Sequence, residues 1–97
     1  MELTGKQKRY LRSLGTSLKA SKQIGKEGIT NTVLDDLENN ITKNELVKIH
    51  VLPTSEMTKE EIIDVLNFHK FTVVQAIGSM ILVYRPNYEL KDHIILP

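Results

Sequence analysis

Ninety-seven residues, 40% hydrophobic and 26% charged with neither cysteine nor tryptophan, describe one small domain of the kind that reducing compartments permit. A chain of this length buries about 60 to 65% of its unfolded surface, which leaves a modest core and little room for a deep pocket sealed from water. Disulfide frameworks, thiol nucleophiles and cysteine-based zinc sites are excluded, and the longest apolar runs are far too short to span a bilayer.

The net charge of +1 hides a division along the chain. Through Lys26 seven bases face the single acid Glu2, whereas from Glu27 onward six bases face eleven acids. A polyanionic partner should therefore meet the first quarter of the chain. Met1 to Lys6 carry charge and no apolar run, so no secretory leader is read there and a cytoplasmic location is expected.

Thr4-Gly5-Lys6-Gln7 has capping-box form and predicts a helix that stops near Gly15. At about 100° per residue Leu3, Tyr10, Leu11 and Leu14 share one face, while Lys8, Arg9 and Arg12 project from the other. Ser21-Lys22-Gln23-Ile24 reads as a short, polar extended segment running into Gly25-Lys26-Glu27-Gly28. Thr30 then caps a second helix, with Ile29 and Leu34 placed as a staple and Val33, Leu34, Leu37 and Ile41 as its apolar face; Asn39, Asn40 and Asn44 weaken and end it.

From Glu45 to Leu52 the pattern alternates, Val47, Ile49 and Val51 on one side and Lys48 and His50 on the other, as in a half-buried strand stopped by Pro53. Thr58 and Glu61 form a second capping box and Met57 and Ile62 a staple, opening a third helix that should end near His69 or Lys70. Thr72–Ile77 and Met80–Tyr84 flank Gly78-Ser79, which suits a type II′ hairpin. The expected fold is α/β, a single compact domain over 1–97 in the order α-β-α-β-α-β-β, with helices packed on a four-stranded mixed sheet. Residues 87–97 form a short tail in which His93-Ile94-Ile95-Leu96 either adds an edge strand or docks on the core.

The segment that best carries chemistry is Gly25-Lys26-Glu27-Gly28. Glycines without a Cβ let phosphate oxygens approach the backbone, the helix that follows offers free amides and about half a positive charge, and Lys26 adds a full one. The plain alternative is a turn needing positive φ, and Glu27 places an anion beside the proposed cradle. A strand, a glycine loop and a helix in the basic end of the chain match the way KH modules clamp four backbone nucleotides, and Lys19, Lys22, Lys8, Arg9 and Arg12 would extend the surface. Arg85, after the last strand, either contacts phosphate or lies along the strand end.

Other constellations are poorer. His50, His69 and His93 fall on separate elements without metal-ligand spacing; Asp35-Asp36 and Glu60-Glu61 favour helix starts and pair with no nucleophile. Tyr10 and Tyr84 fall in apolar patterns and read as core. No catalytic residue, metal or cofactor is expected.

Four ordered blocks, Lys6-Gln7-Lys8-Arg9-Tyr10-Leu11-Arg12-Ser13-Leu14-Gly15, Ile24-Gly25-Lys26-Glu27-Gly28-Ile29-Thr30, Glu45-Leu46-Val47-Lys48-Ile49, and Gln75-Ala76-Ile77-Gly78 leading to Val83-Tyr84-Arg85-Pro86, make the chain resemble the CRM domain family in its stand-alone bacterial form. The resemblance implies a fold similar to the C-terminal domain of bacterial translation initiation factor three, the glycine loop as an RNA contact, and association with precursors of the large ribosomal subunit. The sequence departs from that pattern at Ala20-Ser21-Lys22-Gln23, where the family's first strand is apolar. The partner expected is thus structured ribosomal RNA, bound by a non-enzymatic monomer with no membrane or small-molecule requirement. The competing class is a protein-binding adaptor that uses its sheet or its acidic helices.

Overall fold

Two capping boxes start two of the three helices in the computed structural model, which describes residues 1–97. Thr4 Oγ1 accepts from Gln7 N at 3.1 Å and Gln7 Oε1 from Thr4 N at 3.0 Å, opening α1 (Gly5–Gly15). Thr58 and Glu61 repeat the exchange at 3.1 and 2.9 Å to open α3 (Lys59–Phe68). Between them α2 (Asn31–Asn44) begins where Thr30 Oγ1 accepts from Val33 N. Each box satisfies amides that no helical carbonyl reaches, which is why these boundaries follow from sequence alone.

The strands are β1 (Lys22–Ile24), β2 (Leu46–Val51), β3 (Thr72–Ile77) and β4 (Met80–Tyr84). They form one mixed sheet in the order β1-β2-β4-β3, with β1 parallel to β2 and the other pairs antiparallel. The expected element order and mixed sheet are thus present. Gly78 has a positive φ of 57° and Ser79 does not, as a type II′ hairpin requires. The polar first strand survives because it lies at the edge of the sheet: only Ile24 of its three residues is buried.

Side-chain alternation divides the sheet between two cores. Val47, Ile49, Ile81 and Val83 face α2 and α3, where they meet Leu37, Ile41, Ile62, Leu66 and Phe71. Leu46, Leu82 and Tyr84 face the opposite way, with Val74, and are covered by Leu11 of α1. The central strands β2 and β4 therefore bury both faces, a pattern that fixes register because a one-residue slip would exchange the two cores. Val74 joins the α1 core through a bulge: Val73 pairs with Val83 and Gln75 with Leu82, leaving Val74 as the extra residue.

Tyr10 departs from the expected apolar face. Its side chain is 38% exposed, and the second fully buried position of α1 is Gly15, where a Cβ would come within 2.7 Å of Leu82 Cδ2. The missing side chain lets the helix end lie directly on the sheet. Tyr84 is core, as expected, and wholly buried.

The tail docks on the core and adds no strand. Ile94 and Leu96 pack on the α1 cluster. Glu45, buried and at φ 64°, accepts from Ile94 N at 2.7 Å and Asn87 N at 2.9 Å. Two amides on one carboxylate supply the charge-assisted bonds that keep a buried acid from being an uncompensated charge.

Arg85, expected either to contact phosphate or to lie along the strand end, is built into the fold. Its guanidinium pairs with both carboxylate oxygens of Glu38, one at 3.0 Å, donates to His69 O at 2.6 Å and Lys70 O at 3.3 Å, and lies 4.4 Å from the Phe71 ring centroid. One side chain thereby joins α2 to the end of α3, and four of its five N–H donors are taken.

Arg85→Ala is expected to lower stability by about 1–3 kcal/mol, measured by denaturant unfolding. The Arg85 hydrogen bond holds the Glu38 carboxyl below its ordinary 4.5. The stabilisation it supplies is therefore present above pH 4.5 and is lost as pH falls through the lower folded value, so Glu38→Gln should flatten the acid side of the stability profile.

The Tyr84 hydroxyl makes no hydrogen bond within the chain, and burial, then the Glu45 carboxylate, push its phenol up to about 12. Tyr84→Phe should be neutral or stabilising by up to about 1 kcal/mol near pH 7, because it removes an unpaired buried group. The folded phenol ionises above its ordinary 10.0, so its contribution is intact below pH 10 and lost as pH rises through 12; the variant should lose less stability over that window in thermal melts.

Candidate nucleic-acid interface

Gly25 to Gly28 close a tight turn at the end of β1, with Gly28 N donating to Gly25 O at 3.0 Å. Lys26 and Glu27 at its tip are exposed, while Gly28 is buried at φ 68°. A Cβ on Gly28 would collide with Met57 Sδ and Cγ. Met57 Sδ also accepts from Ile29 N at 3.2 Å, and Lys26 O accepts from Glu56 N at the same distance. The turn is thus held from beneath by the segment between β2 and α3, which leaves its tip outward and its shape fixed. Met57, expected as a helix staple, serves as the loop's anchor as well.

Gly28 therefore has a structural duty, and this coexists with the phosphate-cradle geometry. Thr30 takes the Val33 amide, and the remaining first-turn amides of α2 open beside the turn. Gly25 is open: the nearest atom to an added Cβ is Leu52 Cδ1 at 3.9 Å.

The cations fall into separate places. Lys22 points to the α2 side of the sheet, where Nζ lies 2.7 Å from Asp36 Oδ2. It leaves the shared basic surface because its strand position, alternate to that of Gln23, faces away from α1. The chain has two ion pairs, Lys22–Asp36 and Arg85–Glu38, and each consumes a base that the sequence enrolled for RNA. Lys8, Arg9, Arg12, Lys19 and Lys26 have no such partner.

These five are not one cluster. Leu11 and Gly15 direct α1 onto the sheet; Arg9 lies on its outer surface, while Lys8 and Arg12 run along one flank. The other flank meets the tail, where Gln7 Nε2 donates to Pro97 O. Lys8 stands over the β3 edge beside Thr72 and Val73, and Lys19 stands beside Lys48 and Leu46 of β2. The basic flank thus crosses the width of the sheet, and Lys26 sits apart at the far end of β1.

Two residues missed from the sequence belong with this surface. Lys48 and His50 share the α1 face of β2 with Leu46 but lie beyond the cover of the helix, both partly exposed. Alternation had put them on the polar side of the strand; which side α1 would cover, and how far, was not local information. Half of the acids lie elsewhere, Asp35, Asp36 and Glu38 on α2 and Glu60, Glu61 and Asp64 on α3, the two helices that cover the other face, while Glu2 lies near Lys8 and Glu27 beside Lys26. Among the helices, the division of charge along the chain becomes a division between faces of the sheet, basic α1 on one and acidic α2 and α3 on the other.

No helix is long and apolar enough to cross a membrane, and no group of three or more His, Cys, Asp or Glu side chains is placed to hold a metal ion.

The chain resembles known proteins over nearly its whole length. It is 36% identical to an RNA-binding protein of Haemophilus influenzae over 92% of this chain and 91% of that protein. It is 34% identical to the probable RNA-binding protein YqeI of Bacillus subtilis, over 93% and 95%. The solution structure of a Staphylococcus aureus protein described as a candidate RNA binder superposes with a TM-score of 0.80 at 42% identity, covering 99% of this chain and all of that one. The model of the CRS1/YhbY (CRM) domain matches residues 3–85. With its four-stranded sheet and exposed glycine turn in place, the chain belongs to the CRS1/YhbY (CRM) domain family.

Proposed function

We propose that the protein is a non-enzymatic RNA-binding domain that docks structured ribosomal RNA during assembly of the large subunit. The observation that carries this reading is the sorting of charge: unpaired bases collect on α1, the open part of its sheet face and the glycine turn, while the acids of α2 and α3 face the other way. The names of its relatives support RNA as the partner, and the ribosomal target rests on the family resemblance.

Binding would be mainly electrostatic. Lys26 and the amides at the start of α2 hold phosphate at one corner, and Lys8, Arg12, Lys19 and Lys48 hold it along the sheet, each neutralised phosphate releasing counterions. Arg9, on the outer surface of α1, contributes to the long-range field. Lys22 and Arg85 take no part. The chain is only 5% aromatic, which disfavours recognition led by aromatic stacking.

A second reading has one observation in its favour. Phe68, at the end of acidic α3, is 81% exposed, as a protein-docking residue would be. Recovery of bound material with and without ribonuclease separates the two: ribosomal particles lost on digestion support RNA, and a protein retained supports the adaptor.

Lys26 and Glu27 are exposed, so Lys26→Asp with Glu27→Asp should leave the circular dichroism spectrum unchanged while weakening RNA binding at least tenfold. Unchanged affinity in the folded variant would remove the loop from the mechanism. Lys26→Ala should lower the slope of log affinity against log salt by about 0.7 to 0.9, read from titrations at several salt concentrations. A slope equal to the wild type's would show that Lys26 meets no phosphate.

A further inference from the structure

Beyond α1 the sheet is bare. Strand pairing places Gln23, His50, Met80 and Ile77 side by side in one row across all four strands, on the face that α1 covers only farther down. Met80 is 39% and Ile77 66% exposed. Side by side they give the open sheet face an apolar strip, and the surroundings say which kind of partner suits it. Lys48 lies one row in, Lys26 stands at the β1 end of the row, and no strand residue on this face is acidic; Glu27 and Glu56 stand only at the loop corner.

We infer that this row is a seat for unpaired nucleotides, so that the RNA element recognised is a single-stranded loop or bulge lying across the sheet. The inference rests on the RNA-binding reading and deepens it. A duplex turns phosphates outward and keeps its bases stacked, so it would use the cations alone and leave Ile77 and Met80 against charged backbone. An unpaired base offers an apolar face to Ile77 and to the polarisable Met80 thioether, and an edge to the Gln23 amide and the His50 ring nitrogens. Its phosphates then fall to Lys48 on one side and Lys26 on the other. The row is built for shape and contact, and only its flanks are built for charge.

The test uses the full chain, with a labelled single-stranded RNA and a blunt RNA duplex of equal length, by fluorescence anisotropy at fixed salt. The wild type should prefer the single strand. Ile77→Ala with Met80→Ala should weaken the single strand about five- to tenfold, leave the duplex unchanged and keep the salt slope, since no charge is lost. His50→Ala, which removes no apolar contact, should weaken the single strand alone by a smaller factor. A folded double variant with unchanged single-strand affinity, an equal loss on both RNAs, or a wild type that prefers the duplex would overturn the inference. In the last three cases a weakened Lys26→Asp, Glu27→Asp variant still upholds RNA binding itself. A wild type that binds neither RNA removes both.

Discussion

The two-sided burial of β2 and β4 is the constraint on which the rest depends. Leu46 and Val47, adjacent in sequence, enter different cores, and Leu82 and Val83 do the same. Ten buried residues form the core beneath α2 and α3, and five form the one beneath α1 and the tail. The second core is smaller because one short helix covers one end of that face. The same inequality that leaves the α1 side under-covered leaves a polar and partly apolar sheet surface open to a ligand. In a chain this small, unburied sheet is the cheapest way to present a broad binding surface, since a deep pocket would cost core.

Charge follows that layout. α1 carries Lys6, Lys8, Arg9 and Arg12 and no acid, whereas α2 and α3 carry six of the twelve acids. Because the helices lie on opposite faces, a nearly neutral protein presents one cationic and one acidic side, and a polyanion approaching the first is shielded from the second by the sheet. The two ion pairs stand outside that division. Lys22 on Asp36 ties the edge strand to α2, and Arg85 on Glu38 ties α2 to the end of α3; both spend a cation on architecture.

The glycine turn shows one residue type serving two ends. Gly28 is required by its own φ of 68° and by Met57 lying against it, and that packing holds the tip of the turn rigid. Rigidity matters for a phosphate seat, because amides already fixed in place need no ordering when the anion arrives. Structural need and ligand approach are therefore not rivals here, as they were when the motif was only four letters.

The capping boxes at Thr4 and Thr58, the alternation in β2 and the hairpin at Gly78-Ser79 were legible because each is decided within a few residues, by hydrogen bonds or φ values the local sequence dictates. So was the position of the exposed turn. Tyr10, Lys22 and Arg85 were not. Whether Tyr10 is covered depends on how closely Gly15 lies on Leu82, and whether a base is free depends on which carboxylate the fold brings to it. Asp36 is 14 residues from Lys22, and Glu38 is 47 from Arg85. Sequence alone determined the elements, their order and an excess of bases at one end. Only the tertiary structure decided which bases remain unpaired and which half of the sheet stays open, because both depend on side chains meeting across distances that periodicity and capping do not encode.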